Sequence, residues 1–334
     1  MAVKVAINGF GRIGRMAFKL ALANKRVQVV AINDLTDSGT LAHLLQYDTV
    51  YGKFDKAVTA SKGKIKIGFK SFPVFSEPNP ANLPWKKLGV DVVLECTGVF
   101  RTGEQAKGHL TAGAKRVVIS APAKDDVTPT VVKGTESAGA LIKSADRPVV
   151  SMASCTTNCI SPVMQVLESK FGVSKALMTT IHSYTSTQNL VDGPKKDLRR
   201  ARAAALNIIP TTTGAAIATT KVIPSLKNKF DGIAVRVPTV CGSLSDITVV
   251  LKKSATEKEI NNEFIKMAKH PLYKGVLGVS AEPLVSSDYI GHSCSAVVDL
   301  EFTRVVGGNL VKVLAWYDNE YAYSKRLVEM AEVI

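Results

Sequence analysis

The chain alternates short, largely apolar runs with stretches whose apolar positions recur at helical spacing. Val3-Lys4-Val5-Ala6-Ile7 leads into a glycine cluster, after which Met16, Leu20 and Ala23 mark one face of a helix. Further apolar runs stand at Val27-Gln28-Val29-Val30-Ala31-Ile32, Val90-Asp91-Val92-Val93-Leu94-Glu95 and Arg116-Val117-Val118-Ile119-Ser120. Strands buried on both faces lose polar–apolar alternation, and intervening helices supply the crossovers, so this half predicts a parallel sheet covered on both sides.

Near residue 150 the pattern changes. A helix is expected from about Cys155 to Phe171 and a strand near 176–181, followed by a long stretch of little periodicity from Ser183 to about Ile208. Such irregular stretches inside a compact domain are usually functional. Ala-rich helical sequence runs to Val222, with strands at 232–237 and 245–252. Thr256-Glu257-Lys258-Glu259 reads as a capping box opening a helix to about Ala268. Residues 296–306 and 310–317 flank Gly307-Gly308-Asn309 as a hairpin, and a last helix is expected from about Glu320 to Ala331. The second half therefore predicts an α+β domain with a largely antiparallel sheet.

Composition narrows the classes. A chain of 334 residues with 46% hydrophobic and 21% charged residues has room for two domains with real cores. No apolar run approaches the roughly 20 residues of a membrane span. The start has no signal-peptide layout and the end matches no targeting signal, so the cytoplasm is expected. The five cysteines, Cys96, Cys155, Cys159, Cys241 and Cys294, form no CxxC pair and no cluster at zinc spacing, so no metal site is expected. The net charge of +15 raises nucleic acid as a partner, but the basic residues are scattered, without an aromatic-interleaved stripe. That role is expected to be secondary at most.

Gly9-Phe10-Gly11-Arg12-Ile13-Gly14 follows a strand and opens a helix. In such a turn the first glycine allows the bend, the second admits a pyrophosphate to the backbone, and the third lets helix pack on strand. Asp34 lies 20 residues beyond Gly14 at the end of the next strand, where a carboxylate can hold both ribose hydroxyls and repel a 2′-phosphate. Together these predict NAD; the competing reading of Asp34 is a capping aspartate.

Ser154-Cys155-Thr156-Thr157-Asn158 places a thiol on the first turn of a helix, where dipole and free N–H groups are expected to draw it toward thiolate. His182 ends an apolar strand and enters the long irregular stretch. A cysteine and a histidine remote in sequence but close in space make a nucleophile and its base. On spacing alone, a buried inert thiol and a structural histidine compete with that pairing.

Combined with His182–Gln188, Thr213-Gly214, Arg236-Val237-Pro238-Thr239 and Trp316-Tyr317-Asp318-Asn319-Glu320-Tyr321, these segments resemble the phosphorylating glyceraldehyde-3-phosphate dehydrogenases over essentially the whole chain. The resemblance implies an α/β fold: a Rossmann-type doubly wound parallel sheet over residues 1–153, completed by a C-terminal helix at 319–334, and an α+β catalytic and tetramerisation domain over 154–318. It implies a homotetramer that oxidises glyceraldehyde 3-phosphate with NAD and inorganic phosphate through a Cys155 thioester, with His182 as base. Gly9, Gly11, Arg12, Ile13, Gly14, Asp34, Thr97, Ser120, Asn319 and Tyr323 would contact NAD. Thr185, Thr187 and Arg236 would hold the substrate phosphate, and Ser154, Thr156, Arg202, Thr213 and Gly214 the attacking phosphate. Gly193-Pro194 resembles the loop that closes on a neighbouring subunit's adenosine. Pro78 stands where many members carry a basic residue near the adenine. Within the family, erythrose 4-phosphate is the alternative substrate; a cysteine hydrolase would leave the glycine turn without a role.

Overall fold

A computed structural model describes residues 1–136, 138 and 147–334, which form two compact units. Unit 1 comprises Met1–Val131, residues 147–153 and Tyr323–Ile334; unit 2 comprises residues 132–136, residue 138 and Ser154–Ala322.

Unit 1 is built on β1 (Val3–Asn8), β2 (Val27–Asn33), β5 (Val58–Ser61), β6 (Lys64–Ile67), β7 (Lys70–Phe75), β8 (Val92–Glu95), β9 (Arg116–Ile119) and β10 (Val149–Ser151); β3 (Tyr47–Asp48) and β4 (Gly52–Lys53) form a separate short pair. The large sheet runs β10-β9-β8-β1-β2-β7-β6-β5. From β10 to β7 every pairing is parallel. Numbered by their order among themselves, these six strands lie 3-2-1-4-5-6, the doubly wound dinucleotide-binding order. Apolar side chains of the parallel strands, among them Ala6, Ala31, Val93, Val117 and Ile119, pack around the fully buried Trp85.

The parallel expectation fails at one edge. β6 pairs antiparallel with both β7 and β5, extending the sheet by a meander. Lys64, Ile65, Lys66 and Ile67 alternate exposed and buried, as a one-sided strand should, but the lysines mask that strand among the apolar runs.

Unit 2 carries β11 (Val173–Ser183), β12 (Ile209–Thr212), β13 (Phe230–Val237), β14 (Ser243–Leu251), β15 (Leu277–Ser280), β16 (Ala296–Val306) and β17 (Leu310–Tyr317) in the order β12-β13-β11-β14-β17-β16-β15. The β11–β13 and β15–β16 pairs are parallel and the rest antiparallel. The β16–β17 hairpin turns at Gly307 and Gly308, both at positive φ, which a side chain would resist. A helix over Cys155–Phe171 lies against β14, β16 and β17 and is almost wholly buried, including its interior Pro162. The helix Glu257–Ala268 opens with the expected capping box of Thr256 and Glu259. From Tyr323 onward the C-terminal helix Tyr321–Ala331 belongs to unit 1, where the Ser324 hydroxyl donates to the Ile13 carbonyl at 3.4 Å.

Candidate active site

In unit 1 the glycine turn links β1 to the helix Arg12–Ala23. Gly9 has φ +88°, and a Cβ there would meet the Thr97 backbone nitrogen at 2.6 Å. A Cβ on Gly14 would strike the Gly9 carbonyl oxygen at 2.1 Å, so this glycine sets how closely helix lies on strand. At Gly11 a Cβ would have nothing within 4 Å: the space its missing side chain leaves is open to a ligand. The helix begins without a side-chain cap or an acidic first turn, a helix start that suits an anion. Arg12 is held by Asp48 at 2.8 Å. Asp34 accepts from Phe10 N at 2.7 Å and Thr36 N at 2.9 Å. One glycine turn, a helix start without a side-chain cap and a strand-end carboxylate fit a dinucleotide.

Thr97 and Ser120 stand on neighbouring strand ends, both tied to Glu95: Thr97 N donates to its carboxylate at 2.8 Å and Ser120 N to its backbone oxygen at 2.9 Å. Tyr323 is buried, with its hydroxyl donating to the Ala153 carbonyl at 2.9 Å, so it packs and tethers. In unit 2, Asn319 accepts from Gly242 N and Ser243 Oγ through Oδ1, which leaves its amide N–H₂ for a carbonyl-bearing ligand. Gly193 is braced by Asn189, whose Nδ2 donates to its carbonyl at 2.7 Å.

Unit 2 places the thiol and the imidazole together. Cys155 Sγ lies 3.5 Å from His182 Nε2. Cys155 opens its helix, and Ser154 before it is the N-cap, its hydroxyl accepting from Thr157 N at 3.1 Å. Ala153, one residue earlier, has φ 53°, a left-handed conformation that its Cβ disfavours. His182 is set near the end of β11. Its Nδ1 lies 2.7 Å from the Ser183 carbonyl and 2.6 Å from Arg236 Nη1. A carbonyl only accepts and a guanidinium only donates, so these two contacts favour opposite neutral tautomers. With the proton on Nδ1, bare Nε2 can take the thiol proton; with it on Nε2, the ring can donate to a nearby oxyanion.

Electrostatics agree on a neutral ring and correct one expectation. Burial, and then the Arg236 charge, push the His182 pKa down to about 3. The Cys155 thiol is pushed up, not down, because burial outweighs Arg236 and the local hydrogen bonds. Even at this partly exposed thiol, desolvation outweighs the position at the helix start.

The anion-binding candidates divide. Arg236 is largely buried, its Nη1 donating to the Ser183 carbonyl at 2.9 Å while its Nε has no partner among the described residues. Thr185 and Thr187 share a hydroxyl contact at 2.7 Å on the loop after β11. Gln188, which no sequence motif singles out for a role of its own, supports them. Its Oε1 accepts from Thr185 N at 3.3 Å, and its buried Nε2 has no partner among the described residues. Thr156 turns its hydroxyl to Tyr317 at 2.9 Å. Thr213 accepts from Ala215 N at 3.2 Å, and Gly214 precedes the helix Ala215–Val222 with open space where a Cβ would be.

Arg202 is not brought to this group. Its Nε pairs with Asp192 at 2.6 Å, with the side chain 61% exposed. Arg200 turns inward instead: Nε donates to Thr211 Oγ1 at 2.9 Å and Nη2 to the Thr212 carbonyl at 3.1 Å. Its charge also bears on Arg236. The run Arg199-Arg200-Ala201-Arg202 offers three arginines, and spacing does not choose among them. Cys159 is buried and its thiol pushed up by burial, as befits an inert core residue. Among the described residues no cluster of ligating side chains suits a metal ion.

Comparison with known proteins follows the same division. Residues 3–103 match the family model of the glyceraldehyde 3-phosphate dehydrogenase NAD binding domain, and residues 154–319 that of the C-terminal domain. The chain is 53% identical over 328 residues to glyceraldehyde-3-phosphate dehydrogenase 1 of Bacillus cereus, covering 98% of this chain and 97% of the relative. It is 50% identical over 333 residues to glyceraldehyde-3-phosphate dehydrogenase of Thermotoga maritima, covering 99% of this chain and 98% of the relative. With that identity over its full length, a dinucleotide turn that fits NAD and a thiol beside an imidazole, the chain belongs to the glyceraldehyde-3-phosphate dehydrogenase family.

Proposed function

We propose that the protein oxidises glyceraldehyde 3-phosphate to an acyl phosphate, with NAD and inorganic phosphate, through a thioester on Cys155. The observation that carries this reading is the 3.5 Å approach of Cys155 Sγ to His182 Nε2 beside the half-satisfied Arg236. The thiol adds to the aldehyde carbon as its proton passes by way of bare Nε2 to the carbonyl oxygen, giving a thiohemiacetal and a neutral His182. His182 then takes the hydroxyl proton as the carbon is oxidised. NAD, when bound, accepts the hydride. Phosphate oxygen attacks the resulting thioester and its proton goes to solvent, while the sulfur leaves as thiolate and takes back the proton held by His182, which restores the starting pair.

Arg236 works in two directions here. Its charge favours the thiolate but depresses the imidazole. An anionic substrate on the guanidinium offsets that charge and restores basicity to His182 when a proton must be taken. Thr185, Thr187 and Arg236 hold the substrate phosphate. Ser154, Thr156, Arg200, Thr213 and Gly214 serve the attacking one, since guanidinium forks and hydroxyls suit phosphate oxygens.

We assign NAD binding to residues 1–153 with 319–334 and catalysis and tetramerisation to residues 154–318, a functional division that departs from the compact units at 132–136, 138 and 319–322. Leu177, Ile217 and Leu310 line an open groove on the second sheet beside Phe230 and Val250, an exposed apolar face suited to another copy of the chain in a homotetramer. The reaction is proposed to run in the cytoplasm; no helix among the described residues is long and apolar enough to cross a membrane. Purified protein should sediment at the mass of four chains and form NADH over many turnovers only with aldehyde, NAD and phosphate or arsenate together. Sustained turnover without either anion would refute the reaction, and a monomer the assembly.

A further inference from the structure

Four neighbouring parallel strands of unit 1, β7, β2, β1 and β8, end at Phe75, Asn33, Asn8 and Glu95. The loops that follow carry Glu77, Asp34, Gly9 and Thr97. Under those loops runs a row of buried polar side chains that the chemistry above does not use. Asn33, Asn8, Glu95 and His109 are each no more than 4% exposed.

The row is continuous. Asn33 holds the Glu77 peptide from both sides, its Oδ1 accepting from Glu77 N and its Nδ2 donating to Glu77 O, each at 2.9 Å. The same Nδ2 donates to Asn8 Oδ1 at 2.7 Å. Asn8 Nδ2 in turn donates to Glu95 Oε2 at 2.5 Å. His109 Nε2 lies 3.1 Å from that oxygen, and His109 Nδ1 lies 3.0 Å from the indole nitrogen of Trp85.

The indole fixes the protons. Trp N–H can only donate, so His109 Nδ1 is bare and its proton sits on Nε2, facing Glu95. Glu95 therefore receives four donors: Asn8 and His109 at Oε2, and the Thr97 amide and hydroxyl at Oε1. A carboxylate accepts all four. A neutral acid or amide would turn an N–H or O–H against one of them, a costly mismatch in a buried site.

We infer that Glu95 is the positioning residue of the NAD crevice, fixing the Gly9 turn and the Thr97 loop against each other. The mechanical link is the first glycine. A Cβ at Gly9 would lie 2.6 Å from Thr97 N and 2.7 Å from the Cys96 carbonyl carbon, so the turn rests directly on the peptides beside Glu95. Cys96 N also donates to Asn8 O at 2.6 Å. Shifting Thr97 shifts the floor under the glycine turn; shifting Asn8 loosens Asn33 and, through it, the Glu77 peptide. One carboxylate thus sets the spacing of loops that a dinucleotide must bridge, and a crevice already in its bound shape spends less of its binding energy on ordering.

The inference rests on the reading of residues 3–103 as the NAD-binding domain. Its test is Glu95→Gln in the full-length protein, measured by calorimetric titration with NAD and by steady-state kinetics. NAD affinity should fall about tenfold, the scale of one lost hydrogen bond to a charged group, with KM for NAD rising in step and kcat at saturating NAD held within about twofold. A lower melting temperature with unchanged NAD affinity makes Glu95 merely structural and overturns the inference, as does a fall in kcat at unchanged KM. Should Glu95→Gln fail to fold, Asn33→Ala breaks the row at its outer end and should weaken NAD about threefold; unchanged affinity there also overturns it. Wild-type protein that takes no NAD would refute the domain reading itself.

Discussion

The two functional regions treat their polar atoms in opposite ways. Around the glycine turn nearly every buried group is satisfied: Asn8, Asn33, Glu95, His109 and Trp85 meet one another in a closed row. Around the thiol, satisfaction stops short. Arg236 Nε and Gln188 Nε2 have no partner among the described residues, Arg236 crowds the imidazole at 2.6 Å, and burial raises the Cys155 thiol. A surface that binds is finished in advance, because each pre-formed contact lowers the cost of ordering. A surface that reacts is left incomplete, because groups completed only by substrate can act selectively on the reacting state.

The hardest test of the contrast removes the sulfur. Cys155→Ser should cut NADH formation by about 10⁴-fold or more while leaving NAD affinity, read by titration, unchanged within about twofold. Loss of NAD affinity on that substitution would mean that the binding region is not complete without the reactive one. A smaller effect separates the two arginines. Arg200→Ala should raise the KM for inorganic phosphate by roughly 10–100-fold, the range for a charged hydrogen-bond donor, whereas Arg202→Ala should move it less than about twofold. Equal effects would put the exposed, Asp192-paired side chain back among the anion ligands.

The smallest effect concerns proton linkage. His182 titrates near 3 in the folded protein and near its ordinary value when unfolded, so below about 6.5 the unfolded chain takes up a proton that the native chain refuses. Stability is therefore unaffected by this group above that pH and is lost as pH falls from about 6.5 toward 3. Between pH 6.5 and 5 the loss amounts to roughly 1–2 kcal/mol per chain. Thermal melts of His182→Asn should fall less steeply than wild type across that window. Parallel slopes would show that the imbalance at the reactive region does not exist.

Much of this is legible in the residues, and the illegible parts share a cause. The glycine turn and Asp34 can be read because each has a local reason to exist: a bend, a close approach, a strand end. The β16–β17 hairpin is legible from two runs around Gly307-Gly308 for the same reason. The antiparallel meander is hidden because Lys64 and Lys66 interrupt its apolar side chains. Arg200 is hidden because three arginines in four positions present the same spacing, and only β12 decides which one turns inward. The direction of the thiol shift is concealed because a helix start is visible in sequence and the burial that opposes it is not. Glu95 does leave a signal: an acid closing the apolar run Val92-Val93-Leu94 requires donors, even though sequence cannot say which residues supply them.

Ala153 has a consequence for how the chain enters the helix of Cys155. A glycine would adopt φ 53° freely, and alanine forgoes about 1 kcal/mol by adopting it. Two hydrogen bonds hold it there against that preference: Ala153 N donates to Ser151 Oγ at 3.1 Å, and Ala153 O accepts from the Tyr323 hydroxyl at 2.9 Å. A torsion that its own side chain resists, kept by two tethers, thus stands immediately ahead of the helix that opens with Cys155.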